Sequence, residues 1–216
     1  MKARMAFNQA QFVTSAYSQD SFPRLATPSG LSIPEIALVG RSNVGKSSLI
    51  NHLLKGKFAK TSSVPGKTRS INFFCVDKKI ALVDLPGYGY SKASKQIKNQ
   101  WTDIINPYLQ NRSTLCLILF LLDSRHQPSE KDLAFIQWAF FHQKPLLIVF
   151  TKTDKMNKIE MEKNTLTAMD SLMKFYNSNT LCFLHYSIKD PHARIELIDK
   201  INTLLNLKPM RSSTWV

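Results

Sequence analysis

The chain has 216 residues, 44% hydrophobic and 20% charged, which is enough for one sizeable core and points to a single globular domain. The formal net charge is +14. No segment repeats at a fixed period, no secretory h-region opens the chain, and the longest apolar run, Leu115 to Leu122, is too short to span a bilayer. The expectation is therefore a cytoplasmic protein with no membrane contact.

Residues 1–32 contain the turn-rich "PRLATPSG" and read as an N-terminal extension packed on the domain. The domain itself is expected over residues 33–206. Its first strand, Glu35–Val39, leads into "GRSNVGKS" and a helix over Lys46–Leu54. Strands follow at Ile71–Asp77 and Ile80–Asp84. Then come a helix at Ser94–Leu109, a strand at Thr114–Asp123, a helix at Ser129–Phe141 and a strand at Leu146–Phe150. A helix at Lys158–Asn177, a strand at Thr180–Tyr186 and a helix at Arg194–Leu205 complete it, and residues 207–216 form a loose tail. Most of these strands are almost wholly apolar, as expected when helices cover both faces of a sheet. The pattern predicts a three-layer α/β P-loop fold with a mostly parallel six-stranded sheet. The strands on either side of "KK" can only pair antiparallel, which gives one antiparallel edge strand.

The charge is uneven. Residues 1–100 carry 15 Lys or Arg and 4 Asp or Glu, a net of +11, whereas residues 101–216 carry 14 and 11, a net of +3. Such a surplus suits phosphate-bearing partners larger than a nucleotide. The three cysteines, Cys75, Cys116 and Cys182, lie in apolar runs without metal spacing and read as reduced core thiols. The five histidines are scattered and take surface or core roles.

Gly40, Arg41, Ser42, Asn43, Val44, Gly45, Lys46 and Ser47 fit GxxxxGK[ST] between a strand and a helix, the context this phosphate-binding loop requires. The glycines let successive N–H groups turn inward on phosphate oxygens, and the helix N-terminus adds its positive end. Lys46 would reach the β and γ phosphates, and Ser47 would offer a hydroxyl to Mg²⁺. Base choice rests on Thr151, Lys152, Thr153 and Asp154, directly after the strand "LLIVF". Asp154 can accept hydrogen bonds from guanine N1–H and the 2-amino group, which adenine does not offer. Charge-assisted bonds contribute roughly 1.5–3 kcal/mol each, and such a site rejects the wrong base by about 10⁴-fold. Lys152 would lie along the base and brace the phosphate loop.

Asp84, Leu85, Pro86 and Gly87 end the "IALV" strand. Asp84 would hold Mg²⁺ through a water, and the Gly87 N–H would meet a γ-phosphate. Loss of that phosphate would release the loop. Upstream, Gly66, Lys67, Thr68, Arg69 and Ser70 supply Thr68 as a second Mg²⁺ hydroxyl, with Thr61 a weaker rival. Tyr88 stands where Ras-like enzymes carry a water-orienting Gln, so slow turnover is expected, with Lys46, Thr68 and Gly87 positioning the γ-phosphate. No residue is assigned as a certain catalytic group.

These motifs, in this order, look like the translation-factor-related class of GTPases. "GRSNVGKSSLIN", "PGKTRSINFF", "DLPGYGYS" and "TKTD", with the opening "FVTSAYSQDSFP", resemble the EngB (YihA/YsxC) family within the TrmE-Era-EngA-EngB-septin-like superfamily. The resemblance implies GTP and GDP as ligands with Mg²⁺, a monomeric switch in assembly of the 50S ribosomal subunit with ribosomal RNA as partner, and a need for the protein in septation. It also implies a guanine-bracing segment, placed at His185, Tyr186 and Ser187, with Ser187–Ile188 as another register. Relatives with Asn at position 43 resemble potassium-activated GTPases, so Asn43 is either a K⁺ ligand or a cap of its own loop. The alternative function is a GTP-dependent structural protein that self-associates through its nucleotide face.

Overall fold

The computed structural model describes residues 5–59, 70–88, 101–174 and 181–206. In chain order the elements are β1 (Ala10–Ala16), β2 (Glu35–Gly40), α1 (Lys46–Leu53), β3 (Ile71–Val76), β4 (Ile80–Asp84), α2 (Asn106–Asn111), β5 (Leu115–Asp123), α3 (Glu130–Phe141), β6 (Leu146–Thr151), α4 (Lys158–Met173), β7 (Cys182–Tyr186) and α5 (Ala193–Asn206). A π-helical stretch, Trp101–Ile105, leads into α2. The earlier part of the helix expected at 94–109 lies outside the described residues, as do residues 207–216 of the tail.

One sheet carries all seven strands in the order β1-β3-β4-β2-β5-β6-β7. β4, β2, β5, β6 and β7 pair in parallel, while β3 is antiparallel to both β4 and β1. Two sequence expectations change here. The sheet has seven strands rather than six, because residues 10–16 of the N-terminal segment join it. The antiparallel strand β3 is not the edge, because β1 covers it.

Alternation along each strand divides the core in two. On β5, Leu117, Leu119 and Leu121 face α1 and α5, whereas Ile118, Phe120 and Leu122 face α2, α3 and α4. β2 divides likewise, Ile36 and Leu38 against Ala37 and Val39. This two-sided burial is why the central strands read as unbroken apolar runs.

The β3–β4 turn places Asp77 and Lys78 at φ +51° and +53°, with the Lys79 N–H on the Val76 carbonyl at 3.0 Å. That is the type I′ geometry whose twist matches the flanking strands. The Asp77 carboxylate then accepts the backbone N–H groups of Phe7, Asn8 and Gln9 at 2.8, 3.0 and 2.9 Å. Asn202 clasps Met5 through both backbone groups, and the buried Phe7 fills the α1–α5 side of the core. Farther along, fully buried Glu35 is forked by Arg112 at 2.6 and 3.0 Å and receives the Tyr108 hydroxyl at 3.0 Å. Arg112 also donates to the Pro23 carbonyl and lies over the rings of Phe22 and Phe73. Among the described residues no helix is long and apolar enough to cross a membrane. Cys75, Cys116 and Cys182 are free thiols of intermediate burial.

Candidate functional site

The parallel strands β2, β4, β5 and β6 end at one rim of the sheet, and their connections gather there. Gly40 closes β2 where a side chain has no room: a Cβ would lie 2.7 Å from the Leu121 carbonyl oxygen and 2.9 Å from Val44 Cγ1. Asn43 and Gly45 then take positive φ, +62° and +112°, curling the loop back so that α1 starts at Lys46. Buried Val44 seats the loop on the core.

Lys46 is itself buried. Its ammonium donates to the Gly40 and Arg41 carbonyls at 3.0 and 3.2 Å. Burial lowers its pKa to about 8, against the opposing pull of Asp84. Asp84, at the end of β4, sits one strand over in register with Leu38. Burial lifts its carboxyl to about 6, with Lys46 pulling it down. Its Oδ1 is buried without any hydrogen-bond partner. An ammonium short of anionic partners beside an orphaned carboxylate oxygen suits a phosphate chain with a hard, oxygen-seeking cation such as Mg²⁺. Ser47, in the first turn of α1, is half-buried on the same rim.

The segment after β4 lies directly on the phosphate loop. Leu85 is buried, its N–H 3.3 Å from the Leu38 carbonyl, and Pro86 follows. A Cβ on Gly87 would come within 2.8 Å of the Ser42 nitrogen and 2.9 Å of Lys46 Nζ. The Ser42 N–H donates to the Tyr88 carbonyl at 3.0 Å, and a bridge joins Arg41 to Tyr88. The Tyr88 side chain turns inward. Its hydroxyl donates to Asp132 at 2.5 Å and its ring stacks on Phe120. Burial, then the Asp132 charge, pushes its pKa far above the usual range. Asp132 is held by the N-cap residue of α3, Ser129, through N–H and hydroxyl at 2.7 and 2.6 Å.

The end of β6 braces the loop from the other side. Thr151 donates its hydroxyl to the Val44 carbonyl at 2.7 Å. Lys152, at φ +60°, reaches the Asn43 carbonyl at 2.7 Å and Asp123 at 2.9 Å. Asp123 also takes the Arg125 guanidinium at 2.7 and 2.9 Å. Burial raises the Asp123 pKa, but hydrogen bonds from Arg125 and Lys152 outweigh it and leave the group far below the usual range. A cavity of about 210 Å³ beside the loop is lined by Arg41, Asn43, Asp123, Arg125 and Lys152 among others. Thr153 and Asp154 form a short 3-10 turn. Asp154 receives the Ser187 hydroxyl at 2.9 Å and faces Lys189 at 3.3 Å.

Not every expected site residue is gathered here. Tyr186 is buried, its hydroxyl 2.7 Å from His52 Nδ1 beneath α1. His185 packs on the opposite face of β7 with Nε2 2.8 Å from the Thr165 hydroxyl. Of these three, Ser187, the first residue beyond β7, is the one that meets Asp154. Ser70 is buried, with its hydroxyl on Asn72. Thr61 and Gly66–Arg69, Thr68 included, lie outside the described residues. Sequence reading missed Asp123. Its only signal was an acidic residue closing an otherwise apolar strand.

Residues 35–152 match a family model described as "50S ribosome-binding GTPase". The chain is 44% identical over 199 residues to the probable GTP-binding protein EngB of Protochlamydia amoebophila, covering 92% of this chain and 95% of that one. A crystal structure of a probable GTP-binding protein EngB superposes with a TM-score of 0.66 at 22% identity, over 81% of this chain and 99% of that one. Era in complex with MgGDPNP and nucleotides 1506–1542 of 16S ribosomal RNA gives a TM-score of 0.58 at 26% identity, over 80% of this chain and 56% of that one. The phosphate loop, its two braces and these matches converge, and the chain belongs to the EngB family of GTP-binding proteins, a GTPase by family.

Proposed function

We propose that this GTPase is a slow switch in assembly of the large ribosomal subunit, required in turn for normal septation, and that it acts in the cytoplasm as a monomer. The observation that carries the switch is the seating of Gly87 against Ser42 and Lys46, where a γ-phosphate would take hold of both segments. In that state the Gly87 N–H and Lys46 hold the γ-phosphate, and hydrolysis returns the Asp84–Tyr88 segment to the phosphate loop. Ser47 and Thr68 would hold Mg²⁺, with Asp84 engaging it through a water. Bound there, the ion would neutralise charge on the β and γ phosphates. Asp154 and the segment after Ser187 select guanine, while Lys152 keeps the phosphate loop and base site in one rigid piece.

Slow turnover is supported by Tyr88. Its hydroxyl is committed to Asp132, so it cannot orient an attacking water as a Gln does. A partner therefore completes the site: the pre-ribosomal particle, and K⁺ at Asn43. Binding of RNA and GTP to the same switch state makes each tighten the other. The ribosomal reading is supported by the family description, by Era's RNA complex and by the net charge of +14. Depleting the protein and separating ribosomal particles on a gradient tests it. The expected result is loss of mature 50S with accumulation of a lighter precursor, and normal 50S maturation would overturn the reading. Equal GTPase rates in KCl and NaCl would remove the K⁺ role.

A further inference from the structure

A second basic region lies away from the nucleotide site. Four of the seven described lysines and arginines that precede residue 89 are there: Lys55 and Lys57 after α1, and Lys78 and Lys79 in the β3–β4 turn. All four are exposed. Lys55, Lys57 and Lys78 line a groove of about 760 Å³ together with Asn8, Gln9, Cys75 and the partly buried Phe58. α1 separates this groove from the phosphate loop by about 12 Å at 1.5 Å per residue over its 8 residues.

One observation gives the groove a purpose. The single carboxylate in its lining, Asp77, already accepts three backbone N–H groups, and none of the lysines is within ion-pair distance of a carboxylate among the described residues.

We infer that this groove is a tether for single-stranded RNA, with Lys55, Lys57 and Lys78 on successive phosphates and Phe58 offering a face to an unpaired base. This rests on the RNA partnership proposed above and adds its place and behaviour. The tether sits apart from the Asp84–Tyr88 segment and holds RNA equally in the GDP and GTP states, while the nucleotide face supplies the switched contact.

The test is binding of a fluorescein-labelled 12-nucleotide single-stranded RNA by anisotropy, with GDP or a non-hydrolysable GTP analogue, between 50 and 200 mM KCl. Wild type is compared with K55Q/K57Q/K78Q, with the arginine triple at the same positions, and with K158Q/K163Q/K174Q on the α4 side. Three phosphate contacts at a slope of about 0.7 each make wild-type affinity fall roughly 20-fold more than that of the groove glutamine variant over this range. The arginine triple and the α4 variant should track wild type, and the groove lysines should contribute alike with either nucleotide. Unchanged binding of fluorescent GDP shows that the variants fold. A wild-type slope in the groove glutamine variant overturns the tether and leaves the RNA partnership standing. An equal loss in the α4 variant, or a groove contribution present with only one nucleotide, also overturns it. Competition by poly-glutamate of equal charge as strong as by RNA reassigns the groove to acidic peptides. No RNA binding by wild type at 50 mM KCl removes the RNA partnership itself.

Discussion

Ser187 donates its hydroxyl to Asp154 Oδ1 at 2.9 Å, joining the turn after β6 to the turn after β7. This bond, ahead of the Lys189 interaction, holds the Asp154 carboxyl below its usual range. The aspartate is therefore ionised at neutral pH and fixed for two N–H donors. Asp154→Asn replaces an acceptor oxygen with a donor, and the preference for GTP over ATP should fall by about 10²-fold or more. Competition against fluorescent GDP measures it, and an undiminished preference would sink the guanine assignment.

Gly87→Ala adds a methyl where the Ser42 nitrogen and the Lys46 ammonium are 2.8 and 2.9 Å away. Backbone cannot yield as a flexible side-chain tip does, so the loop must lift from the phosphate loop. GDP affinity should stay within a few-fold. Single-turnover GTP hydrolysis should drop by about 10²-fold or more, the order of losing one transition-state donor. Wild-type hydrolysis in the variant would show that the loop takes no part.

Arg112→Met leaves Glu35 fully buried without its fork. Removing one partner of a buried pair costs about 3–5 kcal/mol. The loss should appear as a lower urea midpoint with an unchanged slope. Proteolysis near Pro23 should quicken as well, because Arg112 also holds that carbonyl. Replacing both Glu35 and Arg112 with apolar residues should restore part of the loss.

Acid should act on His52. Burial first, then the Arg194 charge, lowers its pKa below the ordinary value of 6.5. Tyr186, whose pKa is raised by burial, keeps its proton and shares a hydrogen bond with Nδ1 of the neutral ring. Below pH 6.5 the unfolded chain takes up a proton that the folded chain refuses, so stability rises with pH up to about 6.5 and falls beneath it. Denaturation at pH 7.5, 6.5 and 5.5 should show a decline in wild type that is shallower in His52→Phe. Parallel declines would remove His52 from the acid response.

The central strands were legible because both faces are buried and the run is apolar, as in Leu115–Leu122. α3 and α4 were legible at their starts because Ser129 and Asn157 cap them through side-chain bonds to Asp132 and Glu160. β1 was read as extension because an edge strand buries little: Gln11 and Phe12 are exposed, and only Ala16 of its seven residues is fully buried. The phosphate loop and Thr151–Asp154 stood out because each motif sits at the end of an apolar strand. The segment after β7 was harder. Resemblance placed three residues there, whereas strand alternation sends His185 and Tyr186 to opposite faces and leaves Ser187 at the rim. Asp123 escaped because its partners, Arg125 and Lys152, meet only once β5 and β6 are side by side.

β1 emerges from synthesis some sixty residues before the strand it joins, since Ala10 pairs with Val76 and Ala16 with Ile71. Its backbone groups must wait in water until β3 and the Asp77 turn exist. A nascent chain halted before residue 77 would thus carry a loose leading segment, and a finished one stripped of residues 1–16 would present β3 as a bare border, open to pairing with another molecule. The leading segment works as a late-closing seal, and its removal should convert a well-behaved GTPase into an aggregating one.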